Sequence, residues 1–209
     1  MNNHISYFTS PIATYEENGV THYAQMKPFS DVSLERLHEL ITSNPHLERL
    51  TAQVRSAADM KTAKSRLLPF VTPYGRFCFR NAKHLTGLSG YMPVDIDKLE
   101  DSKQARELRD RLAADAFLGV SLAYVSPSEK GVKLLVRIRT DDIGQASQDP
   151  RQPLAQEVIE DIKNMILDKF HSVQFYIKSV YNVDIDQSGK DVCRACYVCH
   201  DPEARINNI

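Results

Sequence analysis

The spacing of apolar residues along the chain predicts short strands interleaved with amphipathic helices. Alternation of apolar and polar residues indicates strands, and the Asn-Gly pair in the turn at 17–19 predicts a hairpin or a strand pair near the start. The predicted strands cover 5–8, 21–24, 76–80, 90–97, 117–125, 132–138 and 193–198. We expect the two strands on either side of the turn at 126–131 to form a second hairpin.

Apolar residues at helical spacing predict five helices. Asp31 or Ser33 can cap the first helix, and the arginines of the third, Arg109 among them, are expected to be partly exposed. The predicted helices cover 33–43, a segment opened by Pro45, 101–114, 154–170 and 171–181. The polar stretch 141–153 predicts a loop or a tolerated insertion.

Two Asp-x-Asp pairs with the same flanking residues are the chemically most informative feature of the sequence. Asp95 and Asp97 follow an apolar run, and residues two apart project from the same face of a strand. Neighbouring carboxylates repel each other, and a divalent cation such as Mg²⁺ or Mn²⁺ relieves that repulsion. The pair recurs at Asp184 and Asp186. If the two strands lie side by side, the carboxylates converge into a metal site for phosphoryl or nucleotidyl transfer; solvated strand ends are the alternative.

The stretch from residue 55 to residue 84 is basic and aromatic. It holds seven basic residues against one acidic residue, Asp59. Cationic side chains beside aromatic rings suit a track for a nucleic-acid backbone with stacked bases. Arg76 and Arg80 are predicted to share one face of a strand, and Lys83 continues the run. A solvated surface is the alternative interpretation.

The turn of the second predicted hairpin carries groups that suit phosphate oxygens. Ser126 and Ser128 offer hydroxyls, the turn offers backbone N–H groups, and Lys130 and Lys133 offer positive charge. Many surface turns share this composition, so the turn alone does not identify a nucleotide site.

Composition and charge limit the classes of protein that the chain can be. Its 209 residues, 42% of them apolar, suffice for one large domain or two small ones. A net charge of −1 means that polyanion binding depends on local patches. No run approaches the ~18 apolar residues of a membrane span, and the first residues do not read as a secretory signal. We therefore expect a cytoplasmic protein that does not associate with a membrane.

Cysteines spaced by three lie near the end of the chain. Cys193, Cys196 and Cys199 are followed by His200, a spacing compatible with zinc, an iron–sulfur cluster or covalently attached haem. We prefer the interpretation that these are reduced thiols that pack as small apolar side chains.

The order of these motifs resembles the archaeo-eukaryotic primase superfamily, the primase-polymerases. The most similar branch is the VirE N-terminal domain family of Bacteroides-type mobile elements and replication proteins. The resemblance spans roughly residues 68–207. It is carried by the segments 68–75, 90–97, 126–133 and 186–202.

The resemblance implies an α+β, primase-polymerase-like fold. An antiparallel sheet would form an RRM-like palm with helices on one face, beside an N-terminal α/β unit. The implied units are residues 1–66, packed on the core, and residues 67–209, which would form the primase-like catalytic core as one continuous domain.

The resemblance also assigns roles to residues. Asp95, Asp97 and Asp186 would be catalytic and would hold Mg²⁺ or Mn²⁺, with Asp184 as a further ligand. The implied nucleotide-binding residues are Ser126, Ser128, Lys130, Gly131, Lys133 and Arg194. The implied nucleic-acid-binding residues are Arg76, Arg80 and Lys83.

Three positions depart from the pattern of active relatives. Active relatives commonly have His at the position of Lys133, often Gly at the position of Glu129, and often a second basic residue at the position of Tyr197. Lys133 can still neutralise a triphosphate as a point charge.

The implied function is metal-dependent nucleotidyl transfer by a primase or polymerase on single-stranded DNA, with NTP or dNTP as substrate. The setting would be replication of a mobile element, together with a helicase or another replication protein. Three alternatives stay open: a catalytically inactive primase-like module that binds nucleic acid, a metal-dependent nuclease that uses the same carboxylates, and an interaction domain whose acidic pairs face solvent.

Overall fold

Short antiparallel strands and five α-helices make up the described part of the chain, which in the computed structural model comprises residues 4–138, 149 and 151–207. The strands are β1 (Ile5–Phe8), β2 (Tyr15–Glu17), β3 (Val20–His22), β4 (Ser30–Val32), β5 (Phe70–Thr72), β6 (Gly75–Phe77), β7 (Leu85–Leu88), β8 (Tyr91–Ile96), β9 (Val120–Val125), β10 (Val132–Arg137), β11 (Cys196–Tyr197) and β12 (Arg205–Ile206). The helices are α1 (Leu34–Ser43), α2 (Pro45–Ser56), α3 (Met60–Leu67), α4 (Ser102–Ala113) and α5 (Gln156–Tyr181). Single 3₁₀ turns lie at Ala82–His84 and Gln187–Lys190. The prediction of an α+β fold is confirmed.

Two four-stranded antiparallel sheets organise the molecule. The first has the order β11-β5-β1-β4, and the second has the order β12-β9-β10-β8. The hairpins β2–β3 and β6–β7 stand beside them. In the first sheet, β1 pairs with β4 on one side and with β5 on the other. The sheet also joins both ends of the chain, because β11 pairs with β5.

The second sheet is covered on both faces, and this decides where its polar side chains can go. On β8, Met92, Val94 and Ile96 face a core shared with α4 and α5. On the other face, Tyr91 of β8 and Leu135 of β10 join a core shared with α1 and α2. Because side chains alternate along a strand, Asp95 and Lys133 project on this second face, toward the N-terminal elements.

The N-terminal elements follow the predicted signals closely. The turn between β2 and β3 places Asn18 and Gly19 at positive φ, as a two-residue hairpin turn requires, so the predicted hairpin is confirmed. The Ser33 hydroxyl accepts a hydrogen bond from the Arg36 N–H and caps α1. α2 begins at Pro45 as predicted.

Two predicted helices form one. Residues 154–170 and 171–181 were expected to form separate helices, but α5 runs without a break from Gln156 to Tyr181. No Gly or Pro lies between these ends, so nothing in the local sequence interrupts the backbone hydrogen bonds. Asn182, in the left-handed conformation with φ of 55°, ends the helix.

Arg109 was expected to be partly exposed, and this is wrong. Its side chain is 1% exposed, and its guanidinium donates to both carboxylate oxygens of Asp201 at 3.2 and 3.1 Å. Asp201 also accepts the backbone N–H of Val125 at 2.7 Å. The pair therefore joins α4, β9 and the end of the chain, an arrangement that local sequence does not reveal.

The strands predicted at 76–80, 117–125 and 193–198 form only in part. β6 ends at Phe77, because the next residues turn back so that the Arg80 N–H donates to the Met26 carbonyl at 2.7 Å. β9 begins only at Val120, which leaves Phe117 outside the strand. β11 is limited to Cys196–Tyr197, because a turn precedes it, in which the Arg194 N–H donates to the Asp191 carbonyl at 2.8 Å.

Most of the predicted loop at 141–153 falls outside the described residues. Within the described part, no helix is both long enough and apolar enough to cross a membrane.

Candidate functional site

The centre of the candidate site is a cross-strand pair between Asp95 and Lys133. The antiparallel register of β8 and β10 places these two residues opposite each other, and neighbours opposite each other share a face of the sheet. The Lys133 Nζ donates to Asp95 Oδ1 at 2.7 Å. Asp95 is only 6% exposed, so this carboxylate depends on protein partners rather than on water for its stabilisation.

Asp186 reaches the same place from the other Asp-x-Asp pair. Its backbone N–H donates to the Asp95 carbonyl at 2.8 Å, which holds the segment before the second 3₁₀ turn against β8. The Asp186 carboxylate caps that turn by accepting the Ser188 N–H at 3.0 Å and the Ser188 hydroxyl at 2.6 Å. Capping fixes the carboxylate in a position that faces Asp95.

Arg194 connects the two carboxylates. Its Nη2 donates to Asp186 Oδ2 at 2.9 Å and to Asp95 Oδ2 at 3.4 Å. The resulting site cluster consists of Asp95, Asp186, Lys133 and Arg194, two negative and two positive side chains. Among the described residues, the buried Nε of Arg194 has no hydrogen-bond partner, so the guanidinium is only partly satisfied in this arrangement.

The surroundings of Lys133, Arg194 and Asp186 keep these three side chains charged. Burial lowers the pKa of Lys133, but the charge and hydrogen bond of Asp95, together with smaller contributions from Cys196 and Asp97, raise that pKa above its usual value. Burial likewise lowers the pKa of Arg194, and Asp95 and Asp186 raise it. For Asp186, burial raises the pKa, but hydrogen bonds from Ser188 and the charges of Arg194 and Lys133 bring it below the ordinary range. Lys133, Arg194 and Asp186 are therefore charged near neutral pH.

A basic pocket opens beside the site cluster. Its volume is about 320 Å³, which is within the size of small-molecule sites. Three of its lining residues carry positive charge: Arg80, Lys133 and Arg194. The remaining lining residues are Ile12, Asp191, Cys193, Ala195 and Tyr197. Cations that line a concave surface concentrate anions there.

Neither of the two other predicted metal ligands is buried with the site cluster, although the charge of Asp97 reaches Lys133 and raises its pKa. Asp97 is exposed and follows the last residue of β8, where it lies near Gly131. Asp184 is exposed and is paired with Lys178 at 2.9 Å. Residues 182–186 do not form a strand, so the two Asp-x-Asp pairs do not lie on neighbouring strands. Of the four carboxylates, the fold brings together Asp95 and Asp186.

The predicted hairpin of β9 and β10 is present, and its turn is tightly built. The Ser126 and Ser128 hydroxyls are 3.0 Å apart, and the Lys130 carbonyl accepts the Leu99 N–H at 3.0 Å. A Cβ at Gly131 would lie 2.4 Å from the Ile96 carbonyl oxygen, so only glycine lets the turn approach β8 this closely. Glu129 in this turn has a φ of 59°, in the left-handed region.

The predicted nucleic-acid-binding residues are separated by the fold. Arg76 lies on β6, whereas Arg80 lies beyond the end of that strand, so the expectation that both share one strand face is wrong. The Arg80 guanidinium donates to the Ile12 carbonyl at 2.8 Å and lies over the Phe70 ring. Lys83 is exposed on the first 3₁₀ turn. Arg80 thereby belongs to the wall of the basic pocket.

Some residues of the basic pocket were not predicted from sequence. Ile12 comes from the N-terminal segment, and no motif marks it. The Asp191 carboxylate accepts the Cys193 N–H at 3.1 Å and so shapes the turn that carries Arg194. In the local sequence, only the polar turn between the second Asp-x-Asp pair and the following strand indicates this position of Arg194.

The cysteines are free thiols. Cys196 and Cys199 are buried, and burial raises the pKa of each to about 12. Cys193 is half-buried, and burial also raises its pKa, to about 11. All three thiols are therefore protonated and poorly nucleophilic at neutral pH.

Carboxylates of this kind suit Mg²⁺ or Mn²⁺ in their chemistry, since these ions prefer hard oxygen ligands. In the described part of the chain, no three His, Cys, Asp or Glu residues are grouped so as to hold a metal ion. Mg²⁺ is often bound by one or two carboxylates together with substrate phosphates. Asp95 and Asp186 fit that mode, provided that Lys133 and Arg194 release them.

Comparison with known proteins finds one family. The model described as BT4734-like, N-terminal domain, matches residues 62–205, about two thirds of the chain. This range includes all four residues of the site cluster. Searches of curated proteins and of solved structures found no match.

Proposed function

The chain belongs to the BT4734-like N-terminal domain family, and from this premise we propose that it is a primase-polymerase-like module. Its activity would be metal-dependent nucleotidyl transfer on single-stranded DNA, with NTP or dNTP as substrate. The family description names no activity, so the resemblance to VirE N-terminal domains and primase-polymerases stays a prediction that supports this proposal.

One observation carries the proposal. Two carboxylates from distant parts of the chain, Asp95 and Asp186, are bridged by Arg194. Arg194 lines the basic pocket together with Arg80 and Lys133. A triphosphate carries several negative charges, and a pocket with three cations is complementary to it. Nucleotidyl transfer requires this combination, with carboxylates for metal ions beside cations for phosphate.

Lys133 and Arg194 have two alternative partners in this proposal. Without nucleotide, they neutralise Asp95 and Asp186, as the distances of 2.7, 2.9 and 3.4 Å show. When a triphosphate enters the pocket, both cations turn to its oxygens, and the carboxylates become available. Lys133 and Arg194 then hold the phosphates, and Asp95 and Asp186 serve as ligands for Mg²⁺ or Mn²⁺.

When bound, such ions supply the activation of the attacking 3′-hydroxyl and the stabilisation of charge at the α-phosphate. The protein contributes the positioning. The cap at Ser188 fixes Asp186, and the register of β8 and β10 fixes Asp95 opposite Lys133. Asp97 lies two residues after Asp95 and is exposed just beyond the end of β8. It is proposed as a further metal ligand. Asp184, which faces Lys178, is assigned no role.

The proposed setting is replication of a mobile element in the cytoplasm. The template would be single-stranded DNA, and a helicase or another replication protein would act with the module. These partners come from the resemblance alone.

A second candidate function is a catalytically inactive module that binds nucleic acid. The observation that favours it is that both oxygens of Asp95 are already engaged, one by Lys133 and the other by Arg194. If the two cations never release Asp95, the site cluster is a structural ion-pair network. The basic pocket would then bind phosphate without catalysis.

The test is incorporation of labelled NTP and dNTP on single-stranded DNA with Mn²⁺ or Mg²⁺. We expect the wild type and Asp184→Asn to form product. Asp186→Asn should form at least about 100-fold less, because Asp186 belongs to the site cluster and Asp184 does not. Equal product from Asp186→Asn and wild type would refute the assignment. Absence of product from folded wild-type protein that still binds single-stranded DNA would favour the inactive module.

A further inference from the structure

Two aromatic side chains stand exposed in the segment that follows the first hairpin. Tyr23 is 73% exposed and Phe29 is 75% exposed. They flank Lys27, which is also exposed. We call residues 23–29 the aromatic strap. Both rings are therefore accessible to a binding partner.

The aromatic strap is tied to the rim of the basic pocket. The Gln25 N–H donates to the Pro11 carbonyl at 2.9 Å, next to Ile12 of the pocket wall. The Arg80 N–H donates to the Met26 carbonyl at 2.7 Å, and the Arg80 guanidinium donates to the Ile12 carbonyl at 2.8 Å. The strap and the pocket wall are thus held together through Arg80.

This juxtaposition combines exposed rings with a concentration of positive charge. Arg80 lines the pocket and is hydrogen-bonded to the strap at Met26, and Lys133 and Arg194 line the same pocket. Flat aromatic faces beside cations suit a chain of phosphates with unpaired bases, because every base can stack on a ring while its phosphate contacts a cation. A duplex fits poorly, since its base faces are already stacked.

We propose that the aromatic strap is a stacking surface for a single-stranded nucleic acid. Tyr23 and Phe29 stack bases, Lys27 and Arg80 neutralise the backbone, and the strand leads toward the basic pocket. The inference rests on the proposed function and adds to it a template site whose stacking residues, Tyr23 and Phe29, lie outside the residues 62–205 that the family model matches.

The matched control comes from a different surface. Phe117 is 93% exposed and Phe175 is 76% exposed, so their exposure is comparable with that of the strap residues. Their surroundings differ, because the nearby Asp115 carboxylate accepts hydrogen bonds from Tyr176 and Tyr181 of α5. No stacking surface for a polyanion is expected there.

The experiment measures binding of fluorescein-labelled oligo(dT) of about 20 nucleotides by fluorescence anisotropy at fixed salt. We expect the Kd of Tyr23→Ser/Phe29→Ser to rise at least about tenfold over that of the wild type, since each stacked base contributes measurably to affinity. Phe117→Ser/Phe175→Ser should stay within about twofold of the wild type, and duplex DNA should compete weakly.

Two results would overturn the inference: the strap variant binding as tightly as the wild type, or the wild type failing to bind single-stranded DNA. Circular dichroism checks that each variant is folded. If the double variant unfolds, oligo(dT) binding by the single variants Tyr23→Ala and Phe29→Ala tests the inference instead, and weaker binding than that of the wild type is expected. Tyr23→Phe keeps the ring and is expected to bind like the wild type.

Failure of the inference and failure of the proposed function can be told apart. Binding of a nucleoside triphosphate with Mn²⁺ depends on the basic pocket and not on the strap. If triphosphate binding persists while the strap variant binds DNA normally, the inference alone is wrong. If DNA binding depends on the strap but triphosphate does not bind, the proposed transferase function is wrong and the strap assignment stands.

Discussion

Asp95 is a buried carboxylate whose two oxygens are each held by a different cation. Removing a carboxylate from water is costly, and the attraction of Lys133 and Arg194 offsets that cost only while the geometry is kept. A pair of this kind adds little net stability compared with an apolar pair, but losing one partner leaves an uncompensated charge. Substitution of one residue of the site cluster is therefore expected to lower the stability of the fold as well as the proposed activity.

A double-mutant cycle tests this interdependence. We expect Asp95→Asn and Lys133→Met each to lower the free energy of unfolding by about 3 kcal/mol or more, because each leaves a buried charge without its main partner. The double variant should lose clearly less than the sum of the two, because neither charge is then present. Urea unfolding at pH 7 measures all four proteins. Additive losses would show that the two side chains do not depend on each other.

The residues of the site were predictable to different degrees. Asp95 and Asp186 were found by their spacing and flanking residues, and Lys133 by its place in an alternating strand. Arg194 was identified only through a family resemblance, since nothing in its local sequence marks it. The exposure of Asp97 and Asp184 depends on where β8 ends and on residues 182–186, which do not form a strand. Spacing alone determines neither.

At the scale of elements, α4 carries charged side chains whose ion-pair partners lie far away in the sequence. Arg109 pairs with Asp201, and Asp110 pairs with Arg205 of β12 at 2.8 Å. Both partners lie more than ninety residues away, so helical periodicity cannot reveal them. The same limit explains α5, whose two predicted halves merge because only a Gly, a Pro or a tertiary contact would separate them.

The Asp110 pair has a defined pH dependence. Hydrogen bonds from Arg205 and Arg109, opposed by partial burial, lower the pKa of Asp110 to about 2. A carboxylate with a lowered folded-state pKa stabilises the fold above its ordinary pKa of ~4, and this stabilisation is lost as pH falls toward 2. Because 44% of the side chain is exposed, we expect the effect to stay below about 1 kcal/mol.

The measurement is urea unfolding of wild type and Asp110→Asn from pH 7 to pH 2. The variant should be less stable at pH 7, and the difference should shrink between about pH 4 and pH 2. Arg205→Gln should reproduce this behaviour, because it removes the main donor to Asp110. A difference that is independent of pH would show that the ion pair is not its source.

At the scale of the whole molecule, the site lies where the two sheets meet. The second sheet supplies Asp95 and Lys133, the segment before β11 supplies Arg194, and the N-terminal segment supplies Ile12 to the pocket wall. The boundary at residue 66 stays a prediction, although β1 pairs directly with β5 across it. The α+β class was implied by the family resemblance, whereas the meeting of these segments could be seen only in the tertiary structure.

The central claim is that Lys133 and Arg194 exchange the carboxylates for a triphosphate. Calorimetric titration tests it most directly, with three ligands: Mn²⁺ alone, a nucleoside triphosphate with a non-hydrolysable α–β bridge alone, and their preformed complex. Because binding of phosphate and metal is coupled, we predict that the complex binds at least about tenfold more tightly than either component. Asp186→Asn should lose this advantage, and Asp184→Asn should keep it. Tight binding of Mn²⁺ alone, or equal binding of the complex by wild type and Asp186→Asn, would contradict the account.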